Sequence, residues 1–218
     1  MWSQICHLFL QQHLLPWLDC TTVGDPLQDS LYNAGVETFF SLDVLRQSKP
    51  GDAILSALQD VSTNAVISVL PRLFSSFLQA IKKYRTTLFG QGSTSAGTNE
   101  LNAAGMHFFI RCQALLGDDH SSLEAWTARN ALLSIVRENN LFNRSLPDAE
   151  LALNQIVDLA IDALAGVNVS RPPVVVPAID CLSTITRIDH DIVLPALPRI
   201  LPQLLRVGIH LTIRISKL

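Results

Sequence analysis

The sequence predicts an all-α protein, an irregular helical-repeat solenoid of the HEAT or armadillo kind, with an irregular helical bundle as the alternative. Three observations predict it. Apolar residues recur at i, i+3, i+4 and i+7 along most of the chain. Helix-start and helix-stop residues punctuate that pattern. Helix starts near residues 100, 122, 147, 173 and 190 set alternate starts 47 residues (100 to 147) and then 43 residues (147 to 190) apart. Amphipathic helix pairs repeating at roughly 40–47 residues mark such arrays, because one pair cannot bury its apolar face alone.

Taken in order, the chain opens with "MWSQICHLFLQQHLLPWL". It lacks a basic start, and Gln11, Gln12 and His13 interrupt the apolar run, so it reads as neither secretory signal nor membrane span. No other uninterrupted apolar stretch reaches about 18 residues, and a soluble protein is expected. Asp25-Pro26 supplies a cap followed by proline at the first helical position, ahead of Leu31, Phe39, Phe40 and Leu45. The clearest helix is "AVISVLPRLFSSFLQAIKKYRTTLFG". Ile67, Leu70, Phe74, Phe77, Leu78, Ile81, Tyr84 and Leu88 form one broad stripe, with Ser62 or Thr63 to cap it and Gly90 to close it. Pro71 inside this pattern is expected to kink the helix or restart it.

Asn99 is expected to cap "ELNAAGMHFFIRCQALL", which stops at Gly117. Ser121 with Glu124 forms a capping-box pattern before "AWTARNALLSIV". Ser145 and Pro147 open "DAELALNQIVDLAIDALAG", which stops at Gly166. Helices near 174–187 and 192–207 follow, and Pro195, Pro198 and Pro202 should leave the second short, bent or split. Strand-like alternation occurs only in the tail "GIHLTIRISKL", and briefly. An apolar tail after a proline-rich helix is not the polar cap that ends a solenoid. The expectation is therefore a piece of a longer array, divided into an N-terminal helical segment (1–89), a flexible linker (90–99) and a helical-repeat segment (100–218).

The linker assignment rests on "LFGQGSTSAGTNEL", the one glycine-rich stretch. A phosphate loop needs Gly-x4-Gly-Lys-Ser/Thr between a strand and a helix. Gly92 and Gly97 supply the glycines, but Thr98-Asn99 follows where the lysine should stand, and a helix precedes. The dinucleotide fingerprint fails as well, because Ser95 replaces the third glycine. A connector is what remains.

Composition narrows function further. The 218 residues are 48% hydrophobic and only 16% charged, against about a quarter charged in ordinary domains. The apolar surplus fits an efficient core or surfaces that meet other molecules. A net charge of −3 makes no global case for nucleic acid. Two local basic clusters stand out. One is Lys82-Lys83-Tyr84-Arg85. The other is Arg199, Arg206, Arg214 and Lys217, with no acidic residue after Asp191. Solvated helix faces explain both in bland terms, and contact with RNA or an acidic partner explains them functionally.

No pattern for catalysis or metal binding emerges. Cys6, Cys20, Cys112 and Cys181 include no Cys-x-x-Cys pair, which fits buried thiols in a reducing compartment. The triplets Asn143-Arg-Ser145 and Asn168-Val-Ser170 are short enough to arise by chance. Asp118-Asp119-His120 and Asp189-His190-Asp191 read as polar turns, where acidic residues favour the next helix N-terminus. No Gly-x-Ser-x-Gly elbow occurs. No cofactor, metal, membrane or small-molecule substrate is expected, and the chain is read as no enzyme. Trp126 and Arg129 sit one turn apart. They read either as an inter-repeat Trp with Arg lying over it, or as an exposed anchor for RNA or a partner together with Lys82, Lys83 and Arg85.

Three segments, "VLPRLFSSFLQAIKKYRTTLFG" (Val69–Gly90), "GMHFFIRCQALLG" (Gly105–Gly117) and "AWTARNALLSIVRENNLFN" (Ala125–Asn143), resemble the unhealthy ribosome biogenesis protein 2 family of nucleolar pre-ribosomal-associated proteins. The resemblance covers about a third of the chain and includes no catalytic signature. It implies a helical scaffold in the nucleus and nucleolus. Such a scaffold would serve maturation of the large ribosomal subunit, with pre-ribosome assembly proteins as partners and pre-rRNA as a further contact. An armadillo-like adaptor in nuclear transport or trafficking is the alternative.

Overall fold

The apolar stripes resolve into helices, and the computed structural model describes residues 2–14, 30, 34–41, 51–59, 63–89, 94–146, 148–166 and 174–215. In chain order these are α1 (Trp2–Phe9), continued by a π-turn at Leu10–Leu14, α2 (34–41), α3 (Asp52–Leu58), α4 (Thr63–Phe89), α5 (Thr94–Leu116) and α6 (Leu123–Glu138). There follow α7 (Ala149–Ala165), α8 (Val175–Ile188), α9 (His190–Val193), a 3-10 turn (Leu194–Ala196) and α10 (Leu197–Ile215). No strand occurs among the described residues, and the alternating tail is helical as far as Ile215. No described helix is long and apolar enough to cross a membrane. Asp25, Pro26, Leu31, Leu45, Ser62, Gly90 and Pro147 lie outside the described residues.

The chain divides into two units, Met1–Leu115 and Leu116–Leu218. The division therefore falls at the end of α5 and not in the glycine-rich stretch. That stretch is also shorter as a connector than its composition suggests, because α5 starts at Thr94 and Asn99 lies inside the helix. Once the strong Glu100–Leu116 segment nucleates, extending back through Ser, Thr, Ala and one Gly costs at most about 1 kcal/mol per residue.

Unit 1 is built on phenylalanine. Rings stack or meet edge-on in one continuous series: Phe9 on Phe39 (4.5 Å between centroids), Phe39 on Phe40 (5.6 Å), Phe40 on Phe77 (5.5 Å) and Phe77 on Phe108 (4.2 Å). Phe74 then bridges Phe108 (5.6 Å) and Phe109 (6.4 Å). Offset and edge-on pairs add about 0.5–1.5 kcal/mol each beyond the area they bury. This core accounts for Pro71. The proline removes one intrahelical bond and crowds the preceding turn, at about 3 kcal/mol. Yet α4 runs through it unbroken, because Ile67, Leu70, Leu73, Phe74 and Phe77 on either side are buried.

Short α3 is tied to α5 by polar contacts. His107 Nε2 lies 2.8 Å from Asp52 Oδ1, and Arg111 donates to Ser56 Oγ at 3.2 Å. Gly51 enters α3 with φ +90°, a left-handed conformation that glycine adopts freely. A Cβ there would stand 2.5 Å from the Phe108 ring.

In unit 2, α8 packs against both α6 and α7, and α10 packs against α7. Three ends show how the sequence shapes these helices. The N-cap of α6 is Ser122, one residue later than the capping box placed it. Its side chain accepts from Ala125 N at 3.1 Å, while Ser121 N and Oγ both turn back to Asp119 Oδ1 at 2.7 Å. Two adjacent serines compete for the cap, and Asp119 captures the first. The stop of α6 went unread in the sequence. Asn140 takes φ +50° while Leu141 N donates to Val136 O and Asn140 N to Arg137 O, both at 3.1 Å. This is a Schellman closure with Leu141 buried behind it. Helix α7 begins at Ala149, one residue into the segment that Ser145 and Pro147 open, and its cap residue is Asp148 in a left-handed conformation. The prolines split the last helix as expected: α9 gives way to a 3-10 turn at Pro195, and α10 then runs through Pro202.

Replacing Gly51 by alanine combines left-handed strain with a ring clash, so the full chain should lose about 2–4 kcal/mol. Urea unfolding followed by circular dichroism checks this, and an unchanged midpoint would show that α3 re-enters without the glycine.

Candidate functional site

The residues expected to meet RNA or a partner do not form one site. Lys82 and Lys83 are exposed near the end of α4. Being consecutive, they point about 100° apart around the helix. Lys83 Nζ donates to Glu37 Oε1 at 2.7 Å, which ties α4 to α2 and offsets part of the local positive charge. Arg85 is helical, and its side chain lies outside the described residues.

Trp126 and Arg129 are corrected from candidate contact residues to core. Both are completely buried. Their positions one turn apart let the guanidinium lie over the indole, with Cζ 5.1 Å from the ring centroid. Arg129 donates to the carbonyl of Asp119 at 3.1 Å and to that of Gly117, just past the last turn of α5. Trp126 Nε1 donates to the His120 carbonyl at 3.0 Å. Two side chains of α6 thus hold the whole 117–122 turn by its backbone. Carbonyls beyond a helix end lack intrahelical donors and carry partial negative charge, so a cation there is favourable. Burial nonetheless pulls the Arg129 pKa below its ordinary value, opposed by the nearby Asp119 and Asp118 carboxylates. Its Nε is buried with no hydrogen-bond partner among the described residues.

The two acidic turns are structural as well. Hydrogen bonds from Ser121 hold the Asp119 carboxyl below the usual carboxylate range. Asp189 caps α9 by accepting from Asp191 N at 3.0 Å. Among the described residues, Asp189, His190 and Asp191 bring three potential metal-ligand atoms within 4.8 Å of one another. Arg144, unread as a partner in the sequence, already spans both carboxylates. Its Nε is 2.6 Å from Asp189, and its terminal nitrogen is 2.7 Å from Asp189 and 2.6 Å from Asp191. The guanidinium fork supplies the positive charge a cation would bring, and it draws the 143–146 turn onto the start of α9. It holds the Asp189 carboxyl below its ordinary range.

Cys6, Cys112 and Cys181 are fully buried, and Cys20 lies outside the described residues. Burial pushes the Cys112 thiol far up and the Cys181 thiol up to about 12, so neither is an activated nucleophile. Cys181 instead donates to the Trp126 carbonyl at 3.8 Å. Comparison with family models, curated proteins and solved structures gives no match for this chain.

Truncating Arg129 to alanine leaves the Gly117 and Asp119 carbonyls without their donor and the indole face uncovered, and should cost about 1–3 kcal/mol. Arg129→Lys should recover little, because an ammonium cannot span two carbonyls as a fork does. Chemical denaturation of both variants checks this, and full recovery by lysine would reduce the interaction to charge alone.

The Asp189 pKa is lowered in the folded chain, so its pairing stabilises fully above the unfolded value of about 4 and is lost as pH falls through the folded value. Asp189→Asn keeps the cap acceptor and removes the ionisation. Thermal melts between about pH 5 and pH 2 should show a shallower loss of Tm with acid than in the parent chain. An identical slope would mean the ion pair adds nothing.

Proposed function

We propose that this chain is a non-enzymatic helical-repeat scaffold that works through protein contacts in assembly of the large ribosomal subunit. The observation that supports the repeat reading is the spacing of the bonds between helices. In unit 1, Lys83 and Glu37 are 46 residues apart, and the pairs His107–Asp52 and Arg111–Ser56 are each 55 apart. In unit 2, Cys181–Trp126 spans 55 residues, Thr184–Asn130 54, Arg144–Asp189 45 and Arg199–Asp158 41. A helical pair of a HEAT or armadillo array runs to about 40–47 residues, which the separations of 41, 45 and 46 match, while those of 54 and 55 are longer than one such pair. The packing of α6 on α8, the helix after next, has the alternate-helix order of such an array.

The place in ribosome assembly rests on the resemblance of the three segments. Their residues are largely core: Phe74 and Phe77, Phe108 and Phe109, Trp126 and Arg129 are all buried. The likeness therefore speaks to shared internal packing, and the partner must be identified by experiment.

That experiment is affinity purification of the tagged chain from its own cells, with and without ribonuclease. Large-subunit assembly factors should be recovered. Retention after ribonuclease is expected if proteins make the contact, and loss would show RNA bridging it. Reversing Lys82, Lys83 and Arg85 to glutamate should leave recovery unchanged in the first case and abolish it in the second. Transport or trafficking proteins in place of assembly factors would favour the adaptor.

A further inference from the structure

Helix α10 buries one side and leaves the opposite side apolar. Ile200 and Val207 are 3% and 6% exposed on the buried side, and the helix packs against α7. On the other side Pro198, Leu201, Pro202 and Leu205 are exposed, with Leu194 exposed just ahead; Leu201 and Leu205 reach 52% and 68%. The spacing 194, 198, 201, 205 is that of a coiled-coil seam. Arg199 and Arg206, seven residues apart and both exposed, run along one edge. Arg199 bonds Asp158 of α7 at 2.7 Å, whereas Arg206 has no ion-pair partner among the described residues. No acidic residue follows Asp191 in the sequence.

We propose that this face docks an amphipathic helix of a partner protein, with an apolar stripe for the leucines and an acidic edge for the arginines. The proposal rests on the scaffold reading for its premise of protein contact and adds the surface and the partner's chemistry. Charge selects this occupant over the others. A second copy of α10 would set arginine edges together with no carboxylate on the helix to separate them, which is unfavourable. RNA would pair with the arginines and leave the Leu–Pro stripe wet. A membrane-surface helix needs its polar, cationic face in the headgroups. Here the side opposite the stripe is packed on α7, and the cations line one edge only. An acidic-edged amphipathic helix covers the stripe and meets Arg206 at once.

The test uses the full chain and a fluorescent synthetic peptide of about three heptads, with Leu at the seam and Glu along one edge, read by anisotropy. A second peptide carries Lys in place of Glu. The acidic peptide should bind at least about tenfold more tightly, and Arg206→Glu should reverse that order. Leu201→Ser with Leu205→Ser should weaken the acidic peptide at least about tenfold. All three side chains are exposed, so the variants should keep the parent melting temperature. The proposal is overturned by equal binding of both peptides, by binding of neither, or by an order that Arg206→Glu leaves intact. Phosphatidylserine vesicles that bind in the peptide's stead would assign the face to membrane, and leucine-dependent dimers that the peptide fails to break would assign it to a second copy. Peptide binding without ribosomal partners in the purification would leave this surface standing and remove only the ribosomal role.

Discussion

Unit 2 is organised around a buried cation, Arg129, that has no carboxylate at contact distance among the described residues. Taking a guanidinium out of water is costly, and it persists only where other groups replace the lost solvation. The indole of Trp126 covers one face of Arg129, and the Gly117 and Asp119 carbonyls accept from its fork. Because those carbonyls belong to the turn that enters α6, the cation sets where that helix starts. The same turn of α6 offers the Trp126 carbonyl to Cys181, and Asn130, one turn further, meets Thr184; both fix α8. From α8 the packing passes to α7 and from there to α10. The position of α10 thus depends on a chain of contacts that begins at Arg129.

Unit 1 meets the same need for order in another way. Seven of the chain's nine phenylalanines form one run of touching rings across α1, α2, α4 and α5. Ring packing is less directional than a charged fork, so specificity comes from shape. Gly51 is where that shape is tightest, since backbone lies against the Phe108 ring. The polar pairs to Asp52 and Ser56 lie at the half-exposed margin and fix the register of α3 rather than adding much to stability.

What could be read in the sequence follows from the range of the forces involved. The helices were legible because periodicity is local, and so were the ends at Gly117 and Gly166 and the break at Pro195. Errors of one to six residues arose where two local options compete. Ser121 and Ser122 both suit the cap, and Thr94–Asn99 is weak enough as helix to resemble a connector. The Schellman turn at Asn140 hid because asparagine signals a stop less strongly than glycine. The burial of Trp126 and Arg129 was one of two readings, and periodicity alone cannot choose between an inward and an outward indole. Arg144 stayed unread because its acidic partners lie 45 and 47 residues away. The outward stripe of α10 was equally silent, since leucines spaced for a seam look alike whether they are covered or bare.

The buried thiols give each unit its own chemical clock. Cys6 and Cys112 belong to unit 1 and Cys181 to unit 2, and all three have no solvent-accessible surface. A thiol held out of water reacts only while its surroundings are open, so its modification rate counts openings. Labels appearing first on Cys181 would date the loosening of the Arg129 turn, and labels appearing first on Cys6 and Cys112 would date the parting of the phenylalanine run. The same chemistry makes such openings hard to reverse under oxidation. A sulfenic group formed on Cys181 would return to a fully buried position beside the Trp126 carbonyl, where its added polar oxygen must be taken out of water.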